Sequence, residues 1–106
     1  MATTHDLTAV LARHIGRGNG IRGEDLAKLL GLESRQVRKL ISDAIEEDGT
    51  AICGHPSTGY FIASNADELM ETVDFHKHRA LHELRKASQL SKIPLSDLIG
   101  QLHLPT

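Results

Sequence analysis

Aromatic residues and cysteine are both scarce in this sequence. Phe, Tyr and Trp together make up 3% of the 106 residues, and Trp is absent. With so few aromatic side chains, the core is expected to rest on Leu, Ile, Val and Ala, and a leucine-rich composition of this kind favours helices over a sheet sandwich. Cys53 is the single cysteine, so an internal disulfide is excluded and a reducing, cytoplasmic compartment is expected.

Long apolar runs and an excess of positive charge are also missing. No run approaches the roughly 20 residues that a membrane-spanning helix needs, and we expect neither a signal peptide nor a membrane association. The formal net charge is −2. A strongly basic chain would predict binding to nucleic acid in general. This chain leaves specific binding open, because the distribution of charge matters more than its sum.

The stretch 23–42 predicts two short helices joined by a tight turn. Its first part places apolar residues on one helix face, namely Leu26, Ala27, Leu29 and Leu30. Gly31 ends this helix, because glycine enters the left-handed conformation of a helix terminus at little cost. Ser34 is a suitable N-cap for the second helix. In that helix apolar residues recur at helical spacing, at Val37, Leu40, Ile41 and Ala44.

This pattern resembles the helix-turn-helix family of DNA-binding proteins. That family has a small residue in the first helix, a glycine four positions later, and then a β-branched and a larger aliphatic residue in the second helix. The matching positions here are Ala27, Gly31, Val37 and Leu40. The resemblance implies that the second helix lies in a major groove of DNA. The alternative is a helical hairpin with a purely structural role.

The flanking segments extend the resemblance. The apolar spacing predicts a helix from Thr4 to Ile15 with Thr4 as its cap, and Ile21 and Arg22 are expected to be extended. Two β-prone runs, 51–53 and 60–63, flank a five-residue connection with Pro and Gly, which predicts a β-hairpin. Helix, helix-turn-helix and hairpin in this order resemble the small winged-helix proteins of bacteria and their phages. The expected fold is mainly α, with three helices and a hairpin wing in residues 1–64, followed by a long helix.

The long helix is predicted at 65–93, with Asn65 as its cap, Glu68 as the reciprocal capping partner and Pro94 beyond its end. Such a helix extends about 40 Å and should need a partner. Its first half is acidic and its second half is basic, so two antiparallel copies would match acid with base. We therefore predict a homodimer through Leu69, Val73, Leu81 and Leu84. The alternative is that the helix folds back on its own winged domain.

The tail at 94–106 is too apolar for a disordered segment. We expect Ser96 to cap a short helix that contains Leu98, Ile99 and Leu102, and we expect the tail to pack on the dimer or to dock onto another protein.

Polar residues at the start of the second helix are the main candidates for DNA contacts: Arg35, Gln36, Arg38 and Lys39. Arg bridges two acceptors on guanine, and Gln pairs in the same way with adenine. Ser34 is a candidate phosphate contact. Further contacts are expected from Arg17, Arg22, His55, Ser57 and Thr58. The alternative for each basic residue is an ordinary solvated surface.

Metal and catalytic sites are not expected. His78 and His82 lie one helical turn apart, but two ligands do not make a site, and no nucleophile is accompanied by a convincing base. We expect no enzyme, no metal and no cofactor. The predicted function is sequence-specific binding of double-stranded DNA by a dimeric transcription regulator. The alternative is a protein-interaction or recruitment module, such as a replication or partition accessory protein, that uses the winged helix and the apolar tail.

Overall fold

The computed structural model of the chain describes residues 2–102, and it is mainly helical with one small hairpin. Met1 and 103–106, the last four residues of the predicted tail, lie outside the described residues. The elements are the helices α1 (Thr4–Leu11), α2 (Gly23–Leu30), α3 (Ser34–Asp48), α4 (Ala66–Ser91) and α5 (Leu95–Gln101), a 3₁₀ turn (Arg17–Asn19), and the strands β1 (Ile52–His55) and β2 (Gly59–Ile62). The chain divides into two compact units, residues 1–72 and 73–106, and the boundary falls within α4.

Helix α1 begins at Thr4, as predicted, but ends earlier than its sequence pattern predicts. Its cap is Thr3 rather than Thr4, because the backbone N–H of Asp6 donates to Thr3 Oγ1 at 3.2 Å. The helix ends at Leu11 instead of Ile15. The reason is tertiary: the backbone of 14–16 pairs with β2, where Ile62 N donates to His14 O and Gly16 N donates to Ile62 O, each at 2.8 Å.

The two predicted helices of the stretch 23–42 are confirmed, with one change at the cap. Gly31 ends α2 in the left-handed conformation at φ +67°, and Leu32 N closes the turn on Ala27 O at 2.9 Å. The N-cap of α3 is Glu33 and not Ser34, which is the first helical residue. Glu33 is the N-cap because its carbonyl accepts the first helical hydrogen bond, from Val37 N. Its own backbone N–H donates to Gln36 Oε1 at 2.9 Å.

The core of residues 1–72 joins the first three helices to the hairpin. Its members are almost entirely aliphatic: Leu7, Leu11, Ile21, Leu26, Ala27, Val37, Ile41, Ala44 and Ile52. Phe61 and Cys53 are buried as well. Leu29 was predicted to belong to the apolar face of α2, but 65% of it is exposed. Leu26 and Ala27 are the residues of α2 that are buried.

The predicted hairpin is confirmed, with strands that pair Cys53 with Phe61 and His55 with Gly59. Ile21 is extended, as predicted, and it pairs with Tyr60 of β2 through N–H···O bonds of 2.8 and 2.7 Å. This approach is close enough that a Cβ at Gly59 would lie 2.2 Å from Ile21 O. Gly59 also has φ +87°, so glycine is required there for two independent reasons.

Asn65 caps α4, as predicted, because its Oδ1 accepts from Glu68 N at 2.9 Å. The Glu68 side chain does not complete a capping box with Asn65, since it accepts instead from Ser64 N at 2.9 Å. No helix within residues 2–102 is long and apolar enough to span a membrane.

In the unit 73–106, α4 ends at Ser91, and Lys92 follows in the left-handed conformation at φ +62°. The short helix of the tail begins at Leu95 with Pro94 at its N-cap position, so Ser96 lies in its first turn and is not its cap. Pro94 has φ −55° and ψ 144°, an extended conformation that its ring allows and that precedes the first helical residue. The turn is held by Ser88 Oγ, which donates to Ile93 O at 2.6 Å.

Replacing Gly59 by Ala should destabilise the unit 1–72 by at least about 2 kcal/mol, because the new methyl group meets backbone atoms and the residue keeps a positive φ. Urea unfolding followed by circular dichroism measures this loss. Gly18→Ala is the matched control, since a Cβ at Gly18 has no atom within 4 Å, and it should stay within about 0.5 kcal/mol of the parent. Equal stability of Gly59→Ala and the parent would contradict the close approach.

Candidate nucleic-acid interface

One face of α3 is buried and the remainder carries the predicted DNA contacts. Val37, Ile41 and Ala44 are the buried residues of this helix. The exposed set comprises Ser34, Arg35, Gln36, Arg38 and Lys39. The helical period produces this separation, because residues three or four apart share a face. The structure therefore presents all the α3 candidates to solvent on one rigid element.

The positive charge at the start of α3 is largely free of internal partners. Lys39 Nζ lies 3.1 Å from Asp43 Oδ2, and the Lys39 side chain is 78% exposed. An exposed pair of this kind contributes less than about 1 kcal/mol, so a stronger anion can displace it. Arg35 and Arg38 form no ion pair with any residue between 2 and 102. They are therefore available to an external anion.

Gln36 has a second role that the sequence did not reveal. Its Oε1 accepts the backbone N–H of Glu33 at 2.9 Å, so this oxygen stabilises the start of α3. A bidentate contact with adenine would require the same Oε1 as an acceptor, together with the amide NH₂ as a donor. A bidentate contact with adenine would thus require Gln36 to leave its capping position. Its NH₂ group alone can donate a hydrogen bond to DNA without that change.

Ser34 is exposed as the first residue of α3. The backbone N–H groups of a first helical turn have no carbonyl partner inside the helix and form the positive end of its dipole. Ser34 is therefore placed where an anion would meet both its backbone N–H and its hydroxyl group.

The hairpin tip brings three of the remaining candidates together. Arg22 Nη2 donates to Ser57 O at 3.4 Å. His55 Nδ1 accepts the backbone N–H of Ser57 at 3.1 Å and lies 2.7 Å from Ser57 Oγ. Because a backbone N–H can only donate, Nδ1 is the acceptor of the bond from Ser57 N. Thr58, the last candidate of the tip, is half-buried.

Arg17, by contrast, is engaged within the protein. Its guanidinium group forms an ion pair with Glu71, and its backbone N–H donates to Glu68 Oε2 at 3.0 Å. Glu68 also accepts from the backbone N–H and the hydroxyl group of Ser64. The hydrogen bonds from the Ser64 and Arg17 backbones hold the pKa of Glu68 below its ordinary value of 4.5. This cluster anchors the first turns of α4, and sequence reasoning assigned Glu68 only to a capping box.

The predicted dimer residues lie along α4 with different exposure. Leu69 is 37% exposed, and Val73, Leu81 and Leu84 are half-buried. Leu81 and Leu84 lie in the unit 73–106, where Ile93, Leu95 and Leu98 are also half-buried.

No group of three or more His, Cys, Asp or Glu side chains within residues 2–102 has a geometry that could hold a metal ion. Cys53 is buried in the core, where its thiol makes long contacts of 3.9 Å with the carbonyl oxygens of Ala51 and Glu68.

Comparisons with known proteins identify no relative of this chain. No protein-family model matches it, and neither a curated protein nor a solved structure matches it significantly. A winged-helix assignment therefore rests on the sequence pattern and the order of the elements alone.

The Glu68 cluster predicts how stability depends on pH. A carboxylate whose pKa is lowered by folding contributes stability above its unfolded pKa, and this contribution is lost as the pH falls through the folded pKa. The parent should therefore lose stability below about pH 4.5, and Glu68→Gln should be less stable at neutral pH but lose less on acidification. Urea midpoints between pH 7 and pH 3 measure both effects.

Asp6 provides the control, because hydrogen bonds from Thr3 also lower the pKa of its carboxylate. Asp6→Asn should also reduce the loss of stability on acidification. The effects of Asp6→Asn and Glu68→Gln on this loss should add, because the two sites share no partner. The same pH dependence in the parent and in Glu68→Gln would contradict the role of this cluster.

Proposed function

We propose that residues 1–64 form a winged helix-turn-helix domain that binds double-stranded DNA in a sequence-specific manner, and that the protein is a small dimeric transcription regulator in the cytoplasm of a bacterium or a phage-infected cell. The order of elements supports this proposal: α1, the pair α2 and α3 around Gly31, and the hairpin of β1 and β2 with Ile21 beside it. This is the order that the winged-helix resemblance implies.

The single observation that carries the proposal is the exposed start of α3. Arg35 and Arg38 have no ion-pair partner within the described chain, and Gln36 and Lys39 are exposed beside them. An unpaired basic helix start suits the phosphates that border a major groove, while the arginine side chains have the donor geometry for guanine.

The hairpin would contribute through Arg22 rather than through its own residues. The wing contains no Lys or Arg, but Arg22 reaches the carbonyl of Ser57 at its tip. Arg22 thus adds a positive charge to the surface formed by His55, Ser57 and Thr58, which suits a contact with the DNA backbone.

The net charge of the whole unit favours sequence-specific binding over binding to DNA of any sequence. Residues 1–72 contain seven Lys and Arg against eleven Asp and Glu, a formal charge of −4. A negative unit binds random DNA weakly by electrostatics alone. Affinity for an operator would then depend on direct contacts with bases and nearby phosphates.

A second candidate function, protein interaction, is favoured by a groove in the same unit. The groove has a volume of about 680 Å³, and polar and apolar atoms share its lining about equally. The residues that line it are Ala2, Ala9, Val10, Leu29, Leu30 and Leu32, with Asp6, Gly31 and Gln36. Leu29 is 65% exposed there, and the tail exposes Ile99 and Leu102. A recruitment module for replication or partition would use these apolar surfaces in place of α3.

Replacing Arg35 and Arg38 together by Gln should weaken binding to a selected operator by roughly 30-fold or more, because each arginine contributes about 1–3 kcal/mol if it contacts a base. Fluorescence anisotropy of a labelled duplex over a salt series measures the affinity. Operators are first selected from a random library with the parent protein.

The matched control is Arg13→Gln with Lys28→Gln, which removes two exposed positive charges outside α3. Equal losses of operator affinity in the control and in the α3 variant would contradict base-specific contacts by α3. No binding of any duplex by the parent at low salt would contradict the proposed function and favour the protein-interaction module.

The dimer proposal predicts a particle of twice the 11.6 kDa chain mass in sedimentation experiments. Leu69→Glu should shift it to the monomer, because an unpaired charge would be buried at the interface. Phe75→Glu is the control, since Phe75 is 52% exposed and lies roughly 120° around α4 from Leu69. A parent protein that stays monomeric at all concentrations tested would contradict the dimer.

A further inference from the structure

The second half of α4 carries an exposed basic surface in the unit 73–106, which we call the basic α4 face. Its members are all polar and all exposed: His78, Arg79, His82, Arg85, Lys86 and Gln89. Their spacing of three, four and seven residues places them along one side of the helix. The face is therefore a continuous surface rather than a set of scattered charges.

This face is distinct from the side of α4 that the unit itself covers. Leu81, Leu84 and Ser88 are half-buried, and their mean direction lies roughly 120° around the helix from the basic α4 face. Ser88 also binds the turn that leads to α5. The basic α4 face is thus left to an external partner.

The charges of the face are mostly uncompensated. Lys86 Nζ lies 3.4 Å from Glu83 Oε1, and both side chains of this pair are more than half exposed. Arg79 and Arg85 have no ion pair within the part of the chain that the structure describes. The unit contains five Lys and Arg against three Asp and Glu, a formal charge of +2, whereas the unit 1–72 is negative.

A second copy of the chain offers this face fewer free carboxylates than the sequence pattern suggests, because only Asp67 and Asp74 in the acidic first half of α4 are exposed without an ion pair among the described residues. The acidic first half of α4 includes Glu71, which pairs with Arg17, and Glu68, which accepts hydrogen bonds from Ser64 and Arg17. Inside their own unit, Glu71 is therefore paired with a cation and Glu68 is held by hydrogen bonds. The antiparallel match of acid with base is correspondingly weakened, and a polyanion is the better partner.

We propose that the basic α4 face binds the phosphodiester backbone of double-stranded DNA as a second contact surface besides α3. The face extends about 16 Å along the helix, which exceeds the Debye length of about 10 Å at 0.1 M salt. A small anion would meet only part of it, whereas a polyanion engages all of it. The six members of the face are polar, which favours DNA over a bilayer into which a helix face inserts. The inference rests on the proposed function, since it assigns a further part of the same DNA complex.

The test compares four proteins on one labelled duplex: the parent, Arg79→Gln with Arg85→Gln, the α3 variant of Arg35 and Arg38, and the control variant of Arg13 and Lys28. Affinity is measured by fluorescence anisotropy between 50 and 300 mM salt. If both α4 arginines contact phosphates, their removal should reduce the slope of log K against log salt by about 2, at about 0.9 for each contact. Circular dichroism checks the helix, which Gln should preserve since its helix propensity is close to that of Arg.

The outcomes separate the two proposals. If the α4 variant matches the control while the α3 variant loses affinity, the basic α4 face is not a DNA contact, although the proposed function stands. If the α4 variant has the reduced slope while the α3 variant matches the control, DNA binding by α4 stands and the reading role of α3 fails. Absence of duplex binding by the parent at 50 mM salt overturns both.

Two further results would assign the face to another partner and overturn the inference. One is an unchanged salt slope together with a lower sedimentation mass of the α4 variant, which would make the face an interface between copies. The other is an unchanged slope together with loss of binding to phosphatidylserine vesicles, which would make it a membrane contact.

Discussion

The pairing of Ile21 with Tyr60 is the interaction on which the arrangement of residues 1–72 depends. Two backbone hydrogen bonds of 2.8 and 2.7 Å join Ile21, which lies two residues before α2, to strand β2. The backbones can approach this closely only because Gly59 has no side chain. The start of the helix pair and the hairpin are thereby tied to each other, and Arg22, the next residue, is brought to the hairpin tip.

A second constraint acts where α4 begins. Glu68 collects hydrogen bonds from Ser64 and from the backbone of Arg17, and Arg17 also pairs with Glu71. The turn at 16–19 is thus attached to the first turns of α4 by charged groups on the surface of an aliphatic core. A chain with 3% aromatic residues has few large apolar side chains to bury. Hydrogen bonds and ion pairs of this kind therefore add to the stability that its aliphatic core provides.

The distribution of charge is the clearest guide to function. The unit 1–72 is negative as a whole, yet the start of α3 presents unpaired arginines, and the unit 73–106 is positive with its arginines exposed along α4. Where acidic residues lie beside basic ones, as at Asp43 and Glu83, the ion pairs are exposed and therefore weak. Both basic surfaces are consistent with a polyanionic partner.

The sequence by itself determined those features that depend on neighbouring residues. Apolar spacing and Gly31 predicted the pair α2 and α3, the Pro-Gly connection predicted the hairpin, and Asn65 predicted the start of α4. The exposure of Arg35 and Arg38 followed from the same spacing, since residues of one helix face are three or four positions apart.

Only the tertiary structure decided the features that depend on distant residues. Helix α1 ends at Leu11 because the backbone groups of 14–16 pair with β2. Arg17 binds the carboxylates of Glu68 and Glu71, which lie some 50 residues away in the sequence. Leu29 has the spacing of a core residue, yet it remains exposed because the neighbouring elements pack against Leu26 and Ala27. A local pattern predicts which conformation a segment prefers. The partner of each side chain, by contrast, depends on contacts that form only when the whole unit has folded.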